Sequence, residues 1–198
     1  MEMSDVRDGT SDLSNADVLA TPNRFFGMPM QPPGLRIIPT EMTMEMHMVG
    51  AMYAPSDYVT LMVMGMYVEK DMDHITFNPM GTAQIGGFTT TTRGFGDTRV
   101  SALIRLHEDG NEKAHLNLGV SLPTGSITEE DTIFTPMGTT QRVRLPYPMQ
   151  LGSGTVDVLP GITYSNRIDD FSFGSQASAT IRGNRNSEDY KLGDMGEV

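Results

Sequence analysis

The sequence predicts an all-β protein, built as an antiparallel up-and-down meander of hairpins. Apolar and polar residues alternate with a period of two over several runs of ten or more residues. Short turn sequences separate these runs. The 21 glycines and 12 prolines also suit strands joined by turns better than they suit helices.

The chain divides at about residue 40. Residues 1–39 are predicted to be an irregular N-terminal arm, because no periodicity is sustained there and prolines recur. The prolines that interrupt this arm are Pro22, Pro29, Pro32, Pro33 and Pro39. Residues 40–198 are predicted to form the sheet.

The strand predictions follow the alternation in chain order. A methionine-rich hairpin turns at Ala54–Asp57, with strands around Glu41–Met48 and Leu61–Tyr67. The clearest strands come next, in two hairpins that turn at 109–112 and at 166–170: Phe95–Glu108, Lys113–Leu122, Ser153–Tyr164 and Phe171–Arg182. This makes six strands, with the start of a seventh at Tyr190.

The connections and the aromatic residues indicate which kind of sheet this is. The tight turns alternate with long polar stretches, predicted as loops at 70–94, 125–150 and 183–193. Aromatic residues gather near strand ends: Tyr53, Tyr58, Tyr67, Tyr164, Phe171 and Phe173. Both features are typical of outer-membrane β-barrels. A soluble β-sandwich binding module, with its apolar face turned inward, also has alternating strands and is the structural alternative.

In the barrel interpretation, the polar residues of the strands line the lumen as a charge and hydrogen-bond network. His107 and His115 are expected to come close across one hairpin. The predicted lumen residues are Asp97, Arg99, Arg105, His107, Lys113, His115, Asn117, Asp157, Gln176 and Arg182.

The methionine-rich hairpin allows two interpretations. Fourteen of the 17 methionines lie in the first eighty residues. A two- or four-residue turn places five methionines on the face of Leu61 and Val63, where methionine is an adaptable apolar filler. They are Met42, Met44, Met46, Met48 and Met52. The opposite face then carries a candidate soft-metal site for Cu(I), typical of a copper-handling envelope protein. Its residues are Glu45, His47, Met62, Met64 and Met66.

Composition excludes several function classes. The 25 acidic and 14 basic residues give a net charge of −11, which disfavours nucleic acid as a partner. The absence of cysteine excludes thiolate chemistry. No nucleophile, zinc-protease or phosphate-loop motif occurs, so neither an enzyme nor a cofactor is predicted. The start of the chain does not read as a signal peptide.

Several longer motifs resemble one family, the outer-membrane proteins of the meta-pathway phenol-degradation family, often called transporters. They are Met44–Tyr53, Asp57–Met62, Met72–His74, Gly94–Asp97, Leu116–Ile127, Arg144–Thr155, Leu159–Tyr164 and Tyr190–Asp194. The resemblance covers most of residues 40–194. It implies an outer-membrane barrel for passage of small organic, often aromatic or hydrophobic, compounds. The implied partners are outer-membrane lipid and, for a full-length parent, the barrel-assembly machinery.

The same resemblance raises an expectation about completeness. Members of the family begin with a secretory signal and continue for several more strands. Six or seven strands also fall short of the even number, about eight or more, that bacterial barrels use. We therefore expect this sequence to be part of a longer outer-membrane protein.

Overall fold

A computed structural model describes residues 2–4, 6–8, 11–23, 26–27, 32–183 and 185–198; the predicted break at Pro29 lies outside them. As predicted, the protein is mostly antiparallel β-sheet. Its elements are β1 (Glu2–Ser4), β2 (Val6–Asp8), β3 (Ser11–Leu13), α1 (Asn15–Ala20), β4 (Ile37–Ser56), β5 (Val59–Phe77), β6 (Gln84–Phe95), β7 (Thr98–Asp109), β8 (Glu112–Leu122), β9 (Glu130–Phe134), β10 (Thr140–Arg144), a 3-10 helix (Tyr147–Met149), β11 (Asp157–Ile168), β12 (Phe171–Thr180) and β13 (Met195–Glu197).

Nine strands form the main sheet. Its order is β1-β4-β5-β7-β8-β11-β12-β13, and β6 also pairs with β5. Two small hairpins, β9 with β10 and β2 with β3, stand outside it. Among the described residues, no helix has the length and apolar character needed to cross a membrane.

The prediction of an irregular arm is wrong for several of its residues. Three short strands and α1 lie there, and β4 begins at Ile37 rather than at residue 40. Three-residue strands are too short to give a periodicity. The sequence does contain a start signal for the helix, because Ser14 and Asp17 form a capping box at its N-terminus. The Ser14 side chain and backbone both donate to the Asp17 carboxylate, which lowers the pKa of Asp17.

The tight turns occur at or beside their predicted positions. Each is a two-residue connection: Asp57–Tyr58 between β4 and β5, Gly110–Asn111 between β7 and β8, and Asp169–Asp170 between β11 and β12. Gly110 and Asp169 have φ values of 50° and 51°. Positive φ is what the favoured two-residue hairpin turns require, because their twist then matches that of the strands.

The predicted long loops at 70–94 and 125–150 are mostly regular structure. The first holds the second half of β5 and most of β6, and the second holds β9, β10 and the 3-10 helix. Polarity suggested loops, but the β-branched run Thr89–Thr92 favours a strand whatever its polarity. Two strand starts also shift: β7 begins at Thr98 and β11 at Asp157. Residues 185–193 are turns and irregular chain, as predicted, but the strand expected to start at Tyr190 begins only at Met195, as β13.

The chain forms two compact units. The first consists of Met1–Met46, Val68–Arg93 and Thr128–Gln150. Its core is rich in methionine: Met42, Met72 and Met149 are buried together with Leu145. The flexible, unbranched side chain fills an irregular space between a sheet and a short helix. The buried methionines of this unit therefore act as apolar filler.

His74 is the buried titratable group of this first unit. Its ring stacks on Phe88 with 4.7 Å between ring centroids, and its Nδ1 has no hydrogen-bond partner among the described residues. Burial lowers the pKa of His74, although the backbone of Met72 and Phe88 and the charge of Asp73 act in the opposite direction. The folded protein therefore holds this ring neutral to a lower pH than the unfolded chain does.

The first prediction concerns pH. Because the unfolded chain binds the His74 proton more tightly, the stability that the neutral ring contributes should decline as pH falls through about 6.5. His74→Phe keeps the stack on Phe88 and removes the proton. Urea unfolding at about pH 8 and about pH 5 should therefore show a smaller loss of stability on acidification in this variant. An equal loss in both proteins would mean that other groups cause the dependence.

The second unit consists of His47–Tyr67, Gly94–Ile127 and Leu151–Val198. Its strands carry apolar side chains on one face. Direct cross-strand pairs run from Val63 through Val100, Val120 and Val158 to Ile181. We call the following residues, which are 37% to 50% exposed, the apolar face: Leu61, Val63, Val100, Leu118, Val120, Val158, Ile162 and Ile181.

Candidate ligand cavity on the polar face

The opposite face of the second unit, called here the polar face, lines a partly open cavity of about 490 Å³. This volume lies within the range of small-molecule binding sites. Both polar and apolar side chains line it. The lining residues include Met62, Met64, Arg99, Ser101, Leu103, His115, Asn117, Leu159, Thr163, Gln176, Ser178, Thr180, Arg182, Met195 and Glu197.

Strand pairing brings these side chains together. Arg99 on β7 lies opposite Met64 on β5, and Ser101 lies opposite Met62. On the next strands His115 lies opposite Thr163, which in turn lies opposite Gln176. Cross-strand partners point to the same face, so alternation alone places these groups on one surface.

The predicted lumen residues divide into three groups. Arg99, His115, Asn117, Gln176 and Arg182 line the cavity. The second group, Arg105, His107 and Lys113, lies around a smaller cavity near the Asp57–Tyr58 turn. The third group, Asp97 and Asp157, is buried.

Arg105, His107 and Lys113 line the smaller cavity, of about 250 Å³. Glu108 forms salt bridges with both Arg105 and Lys113, and the Arg105 guanidinium lies 4.6 Å from the centre of the Tyr58 ring. The expected approach of His107 and His115 is confirmed, because both line this smaller cavity. They are not direct cross-strand partners: across the bulge between Arg105 and His107, His107 faces Ala114 and His115 faces Arg105.

Asp157 is a lumen prediction that the structure corrects, because its side chain is completely buried. Its carboxylate accepts hydrogen bonds from Thr155 Oγ1 (2.6 Å), from the backbone N–H of Gly183 (3.2 Å) and from Arg182 Nη1. Arg182 also lines the cavity, and its buried Nε has no hydrogen-bond partner among the described residues.

Asp97 is the second correction. It lies in the short connection between β6 and β7, not on a strand, and it is 9% exposed. Its carboxylate accepts from the backbone N–H of Gly125 (3.0 Å) and from both the N–H (2.8 Å) and the hydroxyl (2.8 Å) of Ser153. A Cβ on Gly152 would lie 2.6 Å from this carboxylate. Asp97 therefore joins three connections of the second unit.

Only one of the two polar atoms of the Asn117 side-chain amide has a hydrogen-bond partner among the described residues. Its Nδ2 donates to Thr163 Oγ1 at 3.0 Å, and its Oδ1 is buried with no partner among the described residues.

The candidate metal residues do not converge on one place. Met62 and Met64 line the cavity, and Met66 accepts a backbone hydrogen bond from Gly96 (2.9 Å). His47 is exposed on β4, and Glu45, also exposed, belongs to the first unit. Within the part of the chain that the structure describes, no group of three or more His, Asp or Glu residues could hold a metal ion.

Sequence reasoning did not single out several of the lining residues, and two of them, Met195 and Glu197, lie on a strand that it did not predict. They belong to β13, whose three residues pair with Ser178 to Thr180 on β12. A strand this short has no detectable periodicity, so no sequence signal marked it.

Comparison of the chain with protein-family models, curated proteins and solved structures found no match.

Proposed function

We propose that the second unit is part of the wall of an outer-membrane β-barrel, transporter-like, whose polar face passes small organic compounds. One observation carries the proposal: the apolar face is exposed along paired rows across four strands and the bridged residue Ile181, while polar groups line a cavity. In a barrel of this kind apolar residues point to lipid and polar residues point to the lumen.

The soluble alternative requires the opposite arrangement. A β-sandwich packs its apolar faces together into a core about 10 Å thick. Among the described residues of the second unit, no second layer covers the apolar face, and side chains such as Val158 and Ile162 remain 47% and 48% exposed. The orientation of the two faces therefore favours lipid over a protein layer.

The length of β5 is compatible with a membrane span. Tyr58, which packs against Arg105 at the smaller cavity, lies in the turn before β5, and Tyr67 lies nine residues later beside Phe95, with 5.5 Å between ring centroids. Nine steps of about 3.3 Å give about 30 Å along the strand. At the usual tilt of barrel strands this is about 23 Å along the membrane normal, close to the apolar band of about 25 Å.

The proposal has a structural requirement. The described sheet has free edges, and a bilayer offers no hydrogen-bond partners for an unpaired edge. In the proposed barrel both edges are paired and the apolar face contacts outer-membrane lipid. The barrel-assembly machinery would insert it. We place the protein in the outer membrane on this basis.

Two substitutions on adjacent residues test the proposal. Ile162 lies on the apolar face and Thr163 lines the cavity. Ile162→Arg should reduce association with phosphatidylcholine vesicles, because arginine on the lipid side costs about 2–4 kcal/mol near the bilayer centre. Thr163→Arg introduces the same side chain toward the lumen and should have a much smaller effect. Flotation of refolded protein with vesicles measures both.

The same experiment can contradict the proposal. A wild-type chain that remains a monodisperse monomer without detergent and does not float with vesicles would favour the soluble β-sandwich. Equal flotation of the two arginine variants would also contradict the assignment of the faces.

A further inference from the structure

We propose that a second copy of this chain pairs with both free edges of the second unit, β4 of each copy joining β12 of the other. This inference rests on the proposed function, since it names the partner that closes the proposed barrel. Three observations carry it: two exposed and unpaired edges, the absence of charge along them, and the direction and stagger of the strands.

The first observation is that the outer strands of the second unit are largely unpaired on one side. In the order β4-β5-β7-β8-β11-β12, the described strand on the outer side of β4 is β1, which reaches only residues 41–43. On the outer side of β12, β13 covers only residues 178–180. Residues 47–56, called here the β4 edge, and residues 171–177, called the β12 edge, are exposed throughout.

The backbone of the β12 edge is oriented for a further partner. Val158 and Ile181 each donate their N–H to the carbonyl oxygen of the other, at 2.9 and 2.8 Å. In an antiparallel ladder, residues of such hydrogen-bonded pairs alternate with residues whose N–H and C=O point to the opposite side of the strand. Along the register of β11 and β12, the residues of the β12 edge that point outward are therefore Ser172, Gly174 and Gln176.

The second observation is the absence of charge on both edges. Natural sheets protect free edges from association with charged side chains, with proline or with a bulge. Neither edge contains Lys, Arg, Asp or Glu, although these residues make up 20% of the chain. Pro55, beside the tight turn, is the one proline in the two edges. The β4 and β12 edges therefore lack the charges that would keep two copies apart.

The third observation is the direction of the strands. Successive strands from β4 to β12 are antiparallel, so β4 runs toward the tight turns and β12 runs away from them. β4 of one copy therefore meets β12 of the other in antiparallel orientation, with the tight turns of both copies at one rim. Pairing of β4 with β4 would invert one copy, whereas the short turns of a barrel lie on one side of the membrane.

The strands are also staggered as closure requires. Val59, the first residue of β5, pairs with Ile104, and β7 continues past this point to Asp109. A sheet closes into a barrel when its strands tilt and its register is staggered in this way. Six strands from each copy give an even total, between the side-chain-filled barrels of about eight strands and the open channels of about sixteen. Two copies therefore suit the passage of small compounds.

Crosslinking of the full chain in detergent micelles tests the inference, and the absence of native cysteine leaves no other thiol to react. Ala51→Cys and Ser175→Cys together place one thiol on each edge. Within one copy about 24 Å of sheet separates them, at about 4.8 Å per strand, so a short bismaleimide links them only between copies. We expect a product of twice the 21.7 kDa of one chain and nothing larger. Each single variant should remain unlinked, because like edges do not meet.

A second pair of variants, made in the double-cysteine chain, tests the hydrogen bonds of the β12 edge. Gly174→Pro removes an N–H that points outward and spares the ladder with β11, and it should abolish the linked product. Gly174→Ala keeps the N–H, and its Cβ would lie 3.4 Å from the Tyr164 carbonyl oxygen, an ordinary contact. It should crosslink as fully as the double-cysteine parent. Circular dichroism of both variants establishes that the sheet is intact.

Several outcomes overturn the inference. A ladder of three or more linked chains means that the edges pair without closing, and linkage of a single variant means that like edges pair. Undiminished linkage in Gly174→Pro removes the β12 edge from the interface. A chain that floats with vesicles but is not linked overturns this inference alone and leaves the edges to strands of another chain or of a longer parent. A linked dimer that does not associate with vesicles supports the pairing and overturns the membrane location.

Discussion

Replacement of Asp157 with alanine is expected to lower the free energy of unfolding by about 3–5 kcal/mol, the cost of breaking a buried ion pair on one side. The carboxylate is fully buried and accepts from Arg182, Thr155 and Gly183. Without it, the Arg182 guanidinium would remain in a site where it is only 17% exposed, with its charge uncompensated. Urea unfolding in detergent, followed by circular dichroism, measures the change.

The double variant Asp157→Ala with Arg182→Met is the matched control. It removes both charges and keeps the volume of the long side chain, so much of the lost stability should return. If the double variant is as unstable as Asp157→Ala, the hydrogen bonds to Thr155 and Gly183 account for the effect rather than the ion pair. A loss below about 1 kcal/mol in the single variant would contradict the prediction.

Replacement of Asp97 with alanine should cost about 3 kcal/mol or more, since it leaves the N–H of Gly125 and both donors of Ser153 without their acceptor. The physical reason is location, because the carboxylate is nearly buried and accepts hydrogen bonds from two connections besides its own. Asp97→Asn keeps the shape and one acceptor oxygen, so it should fall between wild type and Asp97→Ala. The same unfolding experiment applies.

Two further variants separate the Asp97 contact from a general loss of charge. Asp170→Ala removes an exposed carboxylate in a turn of the same unit and should change stability by less than about 0.5 kcal/mol. Gly152→Ala leaves the charge in place but puts a Cβ 2.5 Å from the Gly125 carbonyl oxygen and 2.6 Å from Asp97 Oδ1. It should therefore destabilise in the same direction as Asp97→Ala. A neutral Gly152→Ala would show that these connections adjust freely.

The parts of the fold that local chemistry determines were predictable from the sequence. The hairpin of β7 and β8 has a long alternating pattern and a turn containing Gly110, which predict both its strands and its turn. Alternation also predicted which face Arg99, Asn117 and Gln176 occupy, because a period of two admits only two choices. The turn at Asp57–Tyr58 has two residues, one of the two even lengths on which the predicted facing of the methionine hairpin depends.

The parts that depend on contacts between distant segments were not predictable. Asp97 and Asp157 look like other alternating polar residues, but their burial comes from Gly125, Ser153 and Arg182, which are remote in sequence. The bulge beside His107 left no composition signal and changed which residue faces His115. The polar threonines of strand β6 predict a loop, although their β-branched shape suits a strand.

The apolar face does not exist in the unfolded chain. Its residues are separated by polar neighbours, the mean hydropathy of the sequence is −0.26, and no long apolar run marks them. Pairing of the strands gathers Val63, Val100, Val120, Val158 and Ile181 into one row. An extended chain of this composition can travel through water and through a protein-conducting channel without being retained as a membrane helix. In the proposed barrel, the apolar face therefore forms in the same step in which the strands pair and the protein enters the bilayer.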